Sequence, residues 1–466
     1  MDRIAIVGNG ILSLASAWRV LQKNPAARVT IIGPKARTGS ASLAAPAMLN
    51  SFAELVMGSL DHPIDRKKFS VSQLAARAWS DFLAEMPEYE VSRPGIGKGT
   101  FVLNNGSTDV SEDESFDAIV DYLEEFNEAY QWVRPTEIPG YSPAASGRAL
   151  RAIYIERENF VNSEQVIQYV ECALENMGVS FIDDYAASLE MTSGMISSVQ
   201  LRSGECVKAD SYLLALGANL TKLMSDSGID VEMPKIFYGS GVSIEIRPRE
   251  SKLANCVRTP NRGLACGIYS APRTQDTVVI GASNYVADYA LDYPRIGSLE
   301  SLMKGTMEQL NRDFYNAELV NTRVGWRPTS EDTYPVLGKL SIENLVVASG
   351  TKRDGFHMSP ILSDYISDLL LNGNSELDEL FSEWKPERAL IRTYTREKAV
   401  TEIVKHKLSA MYQHDFVPPK SAMLAELTES IRTEVESFHD SLGAEDWGVH
   451  PELYDLYRNG YIAAEK

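Results

Sequence analysis

Apolar and polar positions change period twice within residues 3–32. An apolar run from Arg3 to Val7 is broken at Gly8, Asn9 and Gly10, and apolar residues then recur at helical spacing as far as Leu21. A second apolar run, residues 28–32, follows at the distance typical of a βαβ unit. Glycine in such a turn lets the backbone approach a pyrophosphate, and the following helix N-terminus offers N–H groups and partial positive charge. The pattern therefore predicts a Rossmann-like dinucleotide-binding unit.

The dinucleotide fingerprint of this unit is imperfect. Ser13 stands at the third glycine position, and Gly33 with Pro34 stands where an acidic residue would hold the ribose. A bare GxGxxS is equally typical of a simple tight turn, but the βαβ context favours the nucleotide site. The ribose contact stays open, with Lys35 or a backbone group as candidates.

The remaining pattern alternates predicted helices and strands without repeats. Ser163 is expected to cap a helix that ends at Gly178. The predicted helices are 72–86, 111–130, 163–177 and 299–314, and the predicted strands are 179–182, 211–216, 242–246, 268–271, 277–280 and 345–348. Two amphipathic helices, 397–412 and 422–439, follow on either side of Pro418 and Pro419. We expect them to pack on their own chain or to form a dimer contact, with a lid or a docking surface as the alternative.

Composition and charge narrow the class of protein. The chain has 466 residues, 44% hydrophobic and 23% charged, which is typical of a globular protein with about three domains. Its net charge of −19 argues against binding nucleic acid. No apolar window approaches the roughly 18 to 20 residues of a transmembrane helix. Scattered histidines predict no metal site, and four widely spaced cysteines predict reduced thiols in a cytoplasmic protein.

Several short motifs occur in a fixed order along residues 1–385. They are VGNG at 7–10, AAPAML at 44–49, IPGYSP at 138–143, FVNSEQV at 160–166, LLALGAN at 213–219, YSAPR at 269–273, GWRPTSED at 325–332 and GTKRDGFHMSP at 350–360. Each motif is modest alone, but the ordered set is specific. It resembles the FAD-dependent amine and amino-acid oxidase family that includes glycine oxidase, sarcosine oxidase and D-amino-acid oxidase.

The resemblance implies an α/β architecture of interleaved domains. A Rossmann-like FAD-binding domain is expected from residues 1–85, 151–230 and 325–385, and a substrate domain of mixed β-sheet and helices from 86–150 and 231–324. Residues 386–466 are expected to form a helical C-terminal extension. Because residues 331–349 contain no cysteine that could carry the flavin, we expect FAD to be noncovalent. The expected FAD contacts are Gly8, Gly10, Ile11, Lys35, Ser42, Ala45, Ala47, Met48, Val179, Ala215, Gly217, Gly325, Arg327, Gly350, Arg353, Asp354, Gly355 and Phe356.

The same resemblance assigns three residues to the chemistry: Arg327, Arg353 and Tyr269. Oxidation of an α-amino acid by flavin needs the Cα–H aimed at flavin N5 and the carboxylate held still, and a guanidinium grips a carboxylate best. The alternatives are a surface salt bridge for each arginine and a core aromatic for the tyrosine. Met48 could equally fill a core gap, and His357 could equally be solvated or cap a helix.

Three functions remain after these observations. The first is FAD-dependent oxidation of an amino acid or a small amine-bearing carboxylate, giving an imine that hydrolyses, with O2 as acceptor and H2O2 as product. The second is a dehydrogenase of a hydroxy acid or another carboxylate with a different acceptor. The third is a flavoprotein fold in a tRNA-modification or binding role, against which the net charge argues. The expected partners are the small substrate, O2 and a second copy of the chain bound through the extension.

Overall fold

The computed structural model describes residues 2–106, 109–250, 253–261, 266–413 and 421–461. Pro418 and Pro419, which the sequence places between the last two long helices, lie outside the described residues.

The strands range from two to thirteen residues and belong to four sheets. In chain order they are β1 (Arg3–Val7), β2 (Arg28–Ile32), β3 (Met48–Leu49), β4 (Ile96–Gly97), β5 (Thr100–Asn105), β6 (Tyr130–Val133), β7 (Ala149–Ile155), β8 (Asn159–Val161), β9 (Ser180–Ile182), β10 (Ala186–Thr192), β11 (Met195–Leu201), β12 (Cys206–Val207), β13 (Ser211–Leu214), β14 (Ile236–Arg247), β15 (Cys256–Arg258), β16 (Tyr269–Pro272), β17 (Val278–Gly281), β18 (Tyr285–Ala287), β19 (Glu318–Ser330), β20 (Val336–Lys339) and β21 (Leu345–Ser349).

The helices fall between and after these strands. They are α1 (Ile11–Lys23), α2 (Ala41–Ala44), α3 (Pro63–Ala84), α4 (Val110–Glu125), α5 (Ser163–Asn176), α6 (Leu220–Asp226), α7 (Ile296–Gln309), α8 (Ser359–Asn372), α9 (Asp378–Phe381), α10 (Arg396–Gln413), α11 (Ser421–Ser441) and α12 (Tyr454–Arg458). Short 3-10 turns lie at Pro135–Glu137, Gly217–Asn219, Arg312–Asn316, Ser382–Trp384 and Pro451–Leu453.

A six-stranded sheet holds the nucleotide-type unit. Its order is β20-β21-β13-β1-β2-β9, and all neighbours are parallel except β20 and β21. Its strands are apolar and largely buried because helices α1, α5 and α8 cover one face and a layer with β10, β11 and α6 covers the other. Ligands bind at the carboxyl ends of such strands, which places the turn after β1 at the expected site.

A second, mostly antiparallel sheet forms the other wall of the site. Its order is β18-β14-β17-β16-β15-β5-β7-β6, and β19 also pairs with β14. The register sets Arg327 of β19 opposite Gly239 and Gly325 opposite Gly241. A Cβ at Gly241 would lie 2.2 Å from Arg327 Nη2, so this glycine leaves the room that the guanidinium occupies.

The observed elements confirm the predicted α/β class and correct several local predictions. Helix α5 is capped by the side chain of Asn162, which accepts N–H bonds from Glu164 and Gln165, so the predicted cap at Ser163 is wrong. Gly178, with φ of +83°, does end this helix as predicted. Helix α3 begins at Pro63, nine residues before the predicted start. The predicted domain boundaries at 150 and 324 fall inside β7 and β19, and the division itself stays a prediction.

The extension packs on its own chain. Helices α10 and α11 bury Val400, Ile403, Ile431 and Val435 against each other and against Tyr454. The segment after α11 lies on the second sheet, where Leu453 and Leu456 bury against Phe237 and Val286. Among the described helices, none combines the length and apolar character needed to cross a membrane.

Candidate active site

A cavity of about 970 Å³ runs from the carboxyl edge of the six-stranded sheet to the second sheet. The turn after β1 lines one part, and residues of β16, β19 and the loop after β21 line another. A single cavity therefore joins the predicted nucleotide turn to the predicted substrate residues.

The turn after β1 has the geometry of a pyrophosphate cradle. Gly8 has φ of +115°, and a Cβ there would lie 2.2 Å from the Ala215 carbonyl oxygen, so only glycine fits. Gly10 caps α1 without a side chain, and the Ile11 N–H donates to Ser42 Oγ at 3.1 Å. The thirteen-residue helix thus presents its N-terminus to the cavity, where it can stabilise a phosphate.

The end of β2 explains the missing ribose acid. A Cβ at Gly33 would lie 2.7 Å from Asn9 Cγ, and the Asn9 amide donates to the Pro34 carbonyl at 2.9 Å. Lys35, the sequence candidate, does not line the cavity, and its N–H donates to Asp183 Oδ1 at 2.8 Å. Arg37 lines the cavity instead. Its Nε donates to the Asn9 carbonyl at 3.2 Å, and its Nη2 donates to Glu171 Oε1 at 2.9 Å.

The end of β9 supplies the next part of the wall. Asp184 and Tyr185 line the cavity together with Arg202, whose guanidinium lies 4.2 Å from the Tyr185 ring centre. Val179 lies at the opposite end of this strand, and its N–H donates to Leu174 at the end of α5. Val179 does not line the cavity, and its FAD contact stays a prediction.

The loop after β21 closes the cavity from the side of α3. Asp354 forms an ion pair with Lys68 at 2.6 Å, and Phe356 stacks on Trp79 with ring centres 5.5 Å apart. His357 is 4% exposed and its Nε2 donates to the Ser72 carbonyl at 2.9 Å, so the solvated role is wrong. Burial lowers the pKa of His357, which keeps the imidazole neutral.

Arg327 extends from β19 into the cavity. Its Nη1 donates to the Ser283 carbonyl at 2.8 Å and to Asn284 Oδ1 at 3.2 Å. Within the described part of the chain, no carboxylate lies within ion-pair distance of this guanidinium. The remaining donors can therefore bind an anionic ligand in bidentate fashion.

Tyr269 and Arg353 line the same cavity as Arg327, and Tyr269 also packs with Val279 and Ala282 in a small apolar cluster. Tyr269 is 3% exposed and its burial raises the phenol pKa, although Arg327 opposes the shift. Burial also works against the charged form of Arg353, but Cys266, Glu452 and Glu54 raise its pKa overall. The phenol is a hydrogen-bond donor and the guanidinium stays charged at neutral pH.

Glu54 is an acidic group of this region that the sequence did not single out. It lines the cavity and forms an ion pair with Arg258, a side chain only 1% exposed. Burial favours the neutral carboxyl, but Arg258 outweighs it and lowers the pKa of Glu54 to about 2. Asn261 Nδ2 also donates to Glu54 Oε2 at 2.9 Å. The cavity therefore holds a fixed anion near its arginines.

The loop carrying Ala47 and Met48 has a backbone that favours glycine. Ala47 is buried with φ of +54°, a left-handed conformation that glycine adopts more readily than alanine. Met48 Sδ lies 3.3 Å from Cys256 Sγ and also lines the cavity. Glu158 fixes the following segment, since its carboxylate accepts N–H bonds from Ser51 and Phe52, each at 2.8 Å.

Most of the predicted site residues meet around this cavity, and three do not. Lys35, Val179 and Gly350 do not line it, and their FAD contacts stay predictions that this geometry does not favour. The predicted residues that line the cavity are Gly8, Gly10, Ile11, Ser42, Ala45, Ala47, Met48, Ala215, Gly217, Tyr269, Gly325, Arg327, Arg353, Asp354, Gly355 and Phe356. Among the described residues, no group of three or more His, Cys, Asp and Glu side chains is arranged to hold a metal.

Comparisons with known proteins give this geometry its context. A bifunctional ThiO/ThiG protein of Nostoc sp. (strain PCC 7120) is 23% identical over 94% of this chain, which spans 62% of that protein's length. Glycine oxidase of Geobacillus kaustophilus is 24% identical over 80% of this chain and 94% of its own. The crystal structure of iminodiacetate oxidase from Chelativorans sp. BNC1 has a TM-score of 0.70 at 19% identity, covers 83% of this chain and 100% of its own, and shows a shared fold.

The glycine cradle at Gly8 and the N-terminus of α1, which lines the cavity, fit a flavin adenine dinucleotide, which members of the matching family bind. The family described as DAO, FAD dependent oxidoreductase, matches residues 3–369. Because this match covers most of the 466 residues, the chain belongs to the DAO family of FAD-dependent oxidoreductases.

Proposed function

We propose that this enzyme oxidises the C–N bond of an amino acid or a small amine-bearing carboxylate. The observation that carries the proposal is the free side of the Arg327 guanidinium in the same cavity as the nucleotide turn. Bound FAD would accept the hydride from the substrate Cα–H. The chain itself has to bind the substrate, orient it and keep it from moving.

The cavity complements a substrate with both charges. Arg327 and Arg353 complement a carboxylate, and Tyr269 can donate a hydrogen bond to the same group. Glu54, held anionic by Arg258, complements the ammonium group before that group loses its proton. The imine that results hydrolyses to a keto acid or an aldehyde.

The anionic Glu54 favours an amine over a hydroxy acid, since a hydroxyl group gains no ion pair from it. Relatives named glycine oxidase and iminodiacetate oxidase support the same choice. O2 as the electron acceptor, with H2O2 as product, is part of the proposal. The four free thiols support a cytoplasmic location.

An anaerobic substrate screen tests the proposal. The FAD-loaded protein is mixed with amino acids, secondary amine carboxylates and hydroxy acids, and the flavin absorbance is recorded. We expect amine-bearing carboxylates to bleach the flavin and hydroxy acids of the same length to leave it unchanged. Bleaching by hydroxy acids alone would replace this function with the dehydrogenase alternative.

A further inference from the structure

The C-terminal extension reaches back to the cavity through one buried carboxylate. Glu452 lies in the turn Pro451–Leu453, well beyond residue 369, where the family match ends. Its Oε2 forms an ion pair with Lys352 Nζ, and its side chain is 1% exposed. Its Oε1 accepts an N–H bond from Asn284 Nδ2 at 2.9 Å. Lys352 lines the cavity, and Asn284 lies two residues after Ala282, which also lines it.

Both partners of Glu452 are hydrogen-bonded to Arg327 or to its neighbour Pro328. Asn284 uses its amide oxygen to accept the Arg327 Nη1 bond while its amide nitrogen binds Glu452. Lys352, which lines the cavity, donates its backbone N–H to the carbonyl of Pro328 at 2.9 Å. The Glu452 carboxylate thus fixes two groups. One is the Asn284 side chain, which holds the Arg327 guanidinium, and the other is the loop at Lys352, which is hydrogen-bonded to Pro328.

Apolar packing fixes the position of Glu452 itself. Leu453 and Leu456 bury against Val286 and Phe237 of the second sheet. The Glu452 N–H donates to His450 Nδ1 at 3.2 Å, and Asn459 donates to the Tyr285 hydroxyl at 2.8 Å. The turn is therefore attached to the strand that follows Asn284, and Glu452 is not a mobile surface acid.

The charges around Glu452 make it a permanent anion at neutral pH. Burial favours the neutral form, but Lys352 and Arg353 outweigh burial and lower the pKa of Glu452 to about 2. Within the described residues, Glu452 is the one ion-pair partner of Lys352. Burial and Arg353 lower the pKa of the partly buried Lys352 amine, and removing the carboxylate would take away its counter-charge as well.

We propose that Glu452 is a positioning residue for substrate binding, acting through Asn284 on Arg327. The extension then completes the substrate end of the cavity, and its role is more than packing. This inference rests on the proposed function, because it takes Arg327 to be the group that binds the substrate carboxylate.

The test uses the full-length, FAD-loaded protein and acetate as a carboxylate probe. The variants are Glu452→Gln, Asn284→Ala and both together, and Glu434→Gln is the matched control. Glu434 is a glutamate of the same extension that pairs with Lys407 at 3.0 Å, but it is 47% exposed and outside the cavity. The dissociation constant of acetate is read from the flavin absorbance, and that of FAD from its fluorescence.

We expect acetate to bind about tenfold more weakly to Glu452→Gln and to Asn284→Ala than to the wild type. A tenfold rise in the dissociation constant is the size of effect expected from the loss of about one hydrogen bond to the ligand. The double variant should be no weaker than the single ones because both act on the same contact. FAD affinity should stay within about twofold of the wild type in all variants, and Glu434→Gln should match the wild type for both ligands.

Arg327→Gln separates the possible failures. If it weakens acetate binding while Glu452→Gln and Asn284→Ala do not, the positioning role is wrong and the proposed function stands. If Arg327→Gln leaves acetate binding unchanged, both are wrong. Equal weakening of acetate and FAD by Glu452→Gln would show a merely structural role and overturn the inference. If Glu452→Gln does not fold, Asn284→Ala decides alone, since it retains the Glu452–Lys352 pair.

Discussion

Replacing Gly8 by alanine should damage the nucleotide site far more than replacing another glycine with positive φ. Gly8 and Gly178 have φ of +115° and +83°, so alanine is strained at both positions. At Gly178 a Cβ would meet nothing within 4 Å, and Gly178→Ala should cost only the left-handed strain of about 1–2 kcal/mol. At Gly8 the new Cβ would lie 2.2 Å from the Ala215 carbonyl oxygen, so the turn must move as well.

We expect Gly8→Ala to destabilise the protein by at least about 3 kcal/mol. The shifted turn also moves the N–H groups at the start of α1, and FAD affinity should fall at least about 100-fold. Urea unfolding midpoints of the apoproteins and fluorescence titration with FAD measure the two effects. Gly178→Ala should keep wild-type FAD affinity. Equal midpoints for the two variants, or unchanged FAD affinity in Gly8→Ala, would refute the cradle.

Three further predictions concern acid stability, the extension and the cofactor. The pKa values of Glu54 and Glu452 are lowered from 4.5 to about 2, so the stability that these carboxylates contribute is present above about pH 4.5 and is lost as the pH falls toward 2. In acid unfolding, Glu54→Gln should lose less stability in that pH window than the wild type does. An unchanged acid profile would contradict this. Deleting residues 386–466 should uncover Phe237 and Val286 and lower solubility or oligomer order, as light scattering would show; unchanged solubility, mass and turnover would make the extension dispensable. Acid precipitation should release FAD into the supernatant, and colour that stays in the pellet would contradict noncovalent binding.

Local motifs were predictable from the sequence because their geometry depends on a few consecutive residues. The turn at Gly8 and Gly10 needs only the change of period from strand to helix. The role expected of Arg327 came instead from the resemblance of its GWRP motif to the family. The sequence also shows that the usual acidic residue is missing at Gly33. It does not show that Arg37 lines the cavity nearby. Arg37 lines the cavity from the turn after β2 and has φ of +45°, a local conformation that a pattern of apolar residues does not encode.

Tertiary contacts were not predictable in the same way. The segment at Val179 was recognised, but the wall of the cavity begins at Asp184 because the carboxyl end of β9 faces it. Glu54 carried a signal that could have found it, since it follows the predicted site residue Met48 by only six residues along the chain. Glu452 carried none, because only the packing of Leu453 and Leu456 on the second sheet brings it to Asn284.

The most direct test of the amino-acid oxidation proposal compares kcat/KM for the best amino acid and for its amide in wild type and in Arg327→Lys. If Arg327 binds the substrate carboxylate through charge-assisted bonds, the acid should lose about 10-fold to 100-fold, because an ammonium group cannot reproduce the planar fork. The amide lacks the carboxylate and should lose much less, and the FAD spectrum should be retained. Equal losses for acid and amide, or loss of FAD itself, would show that Arg327 is structural and would contradict the carboxylate-binding site.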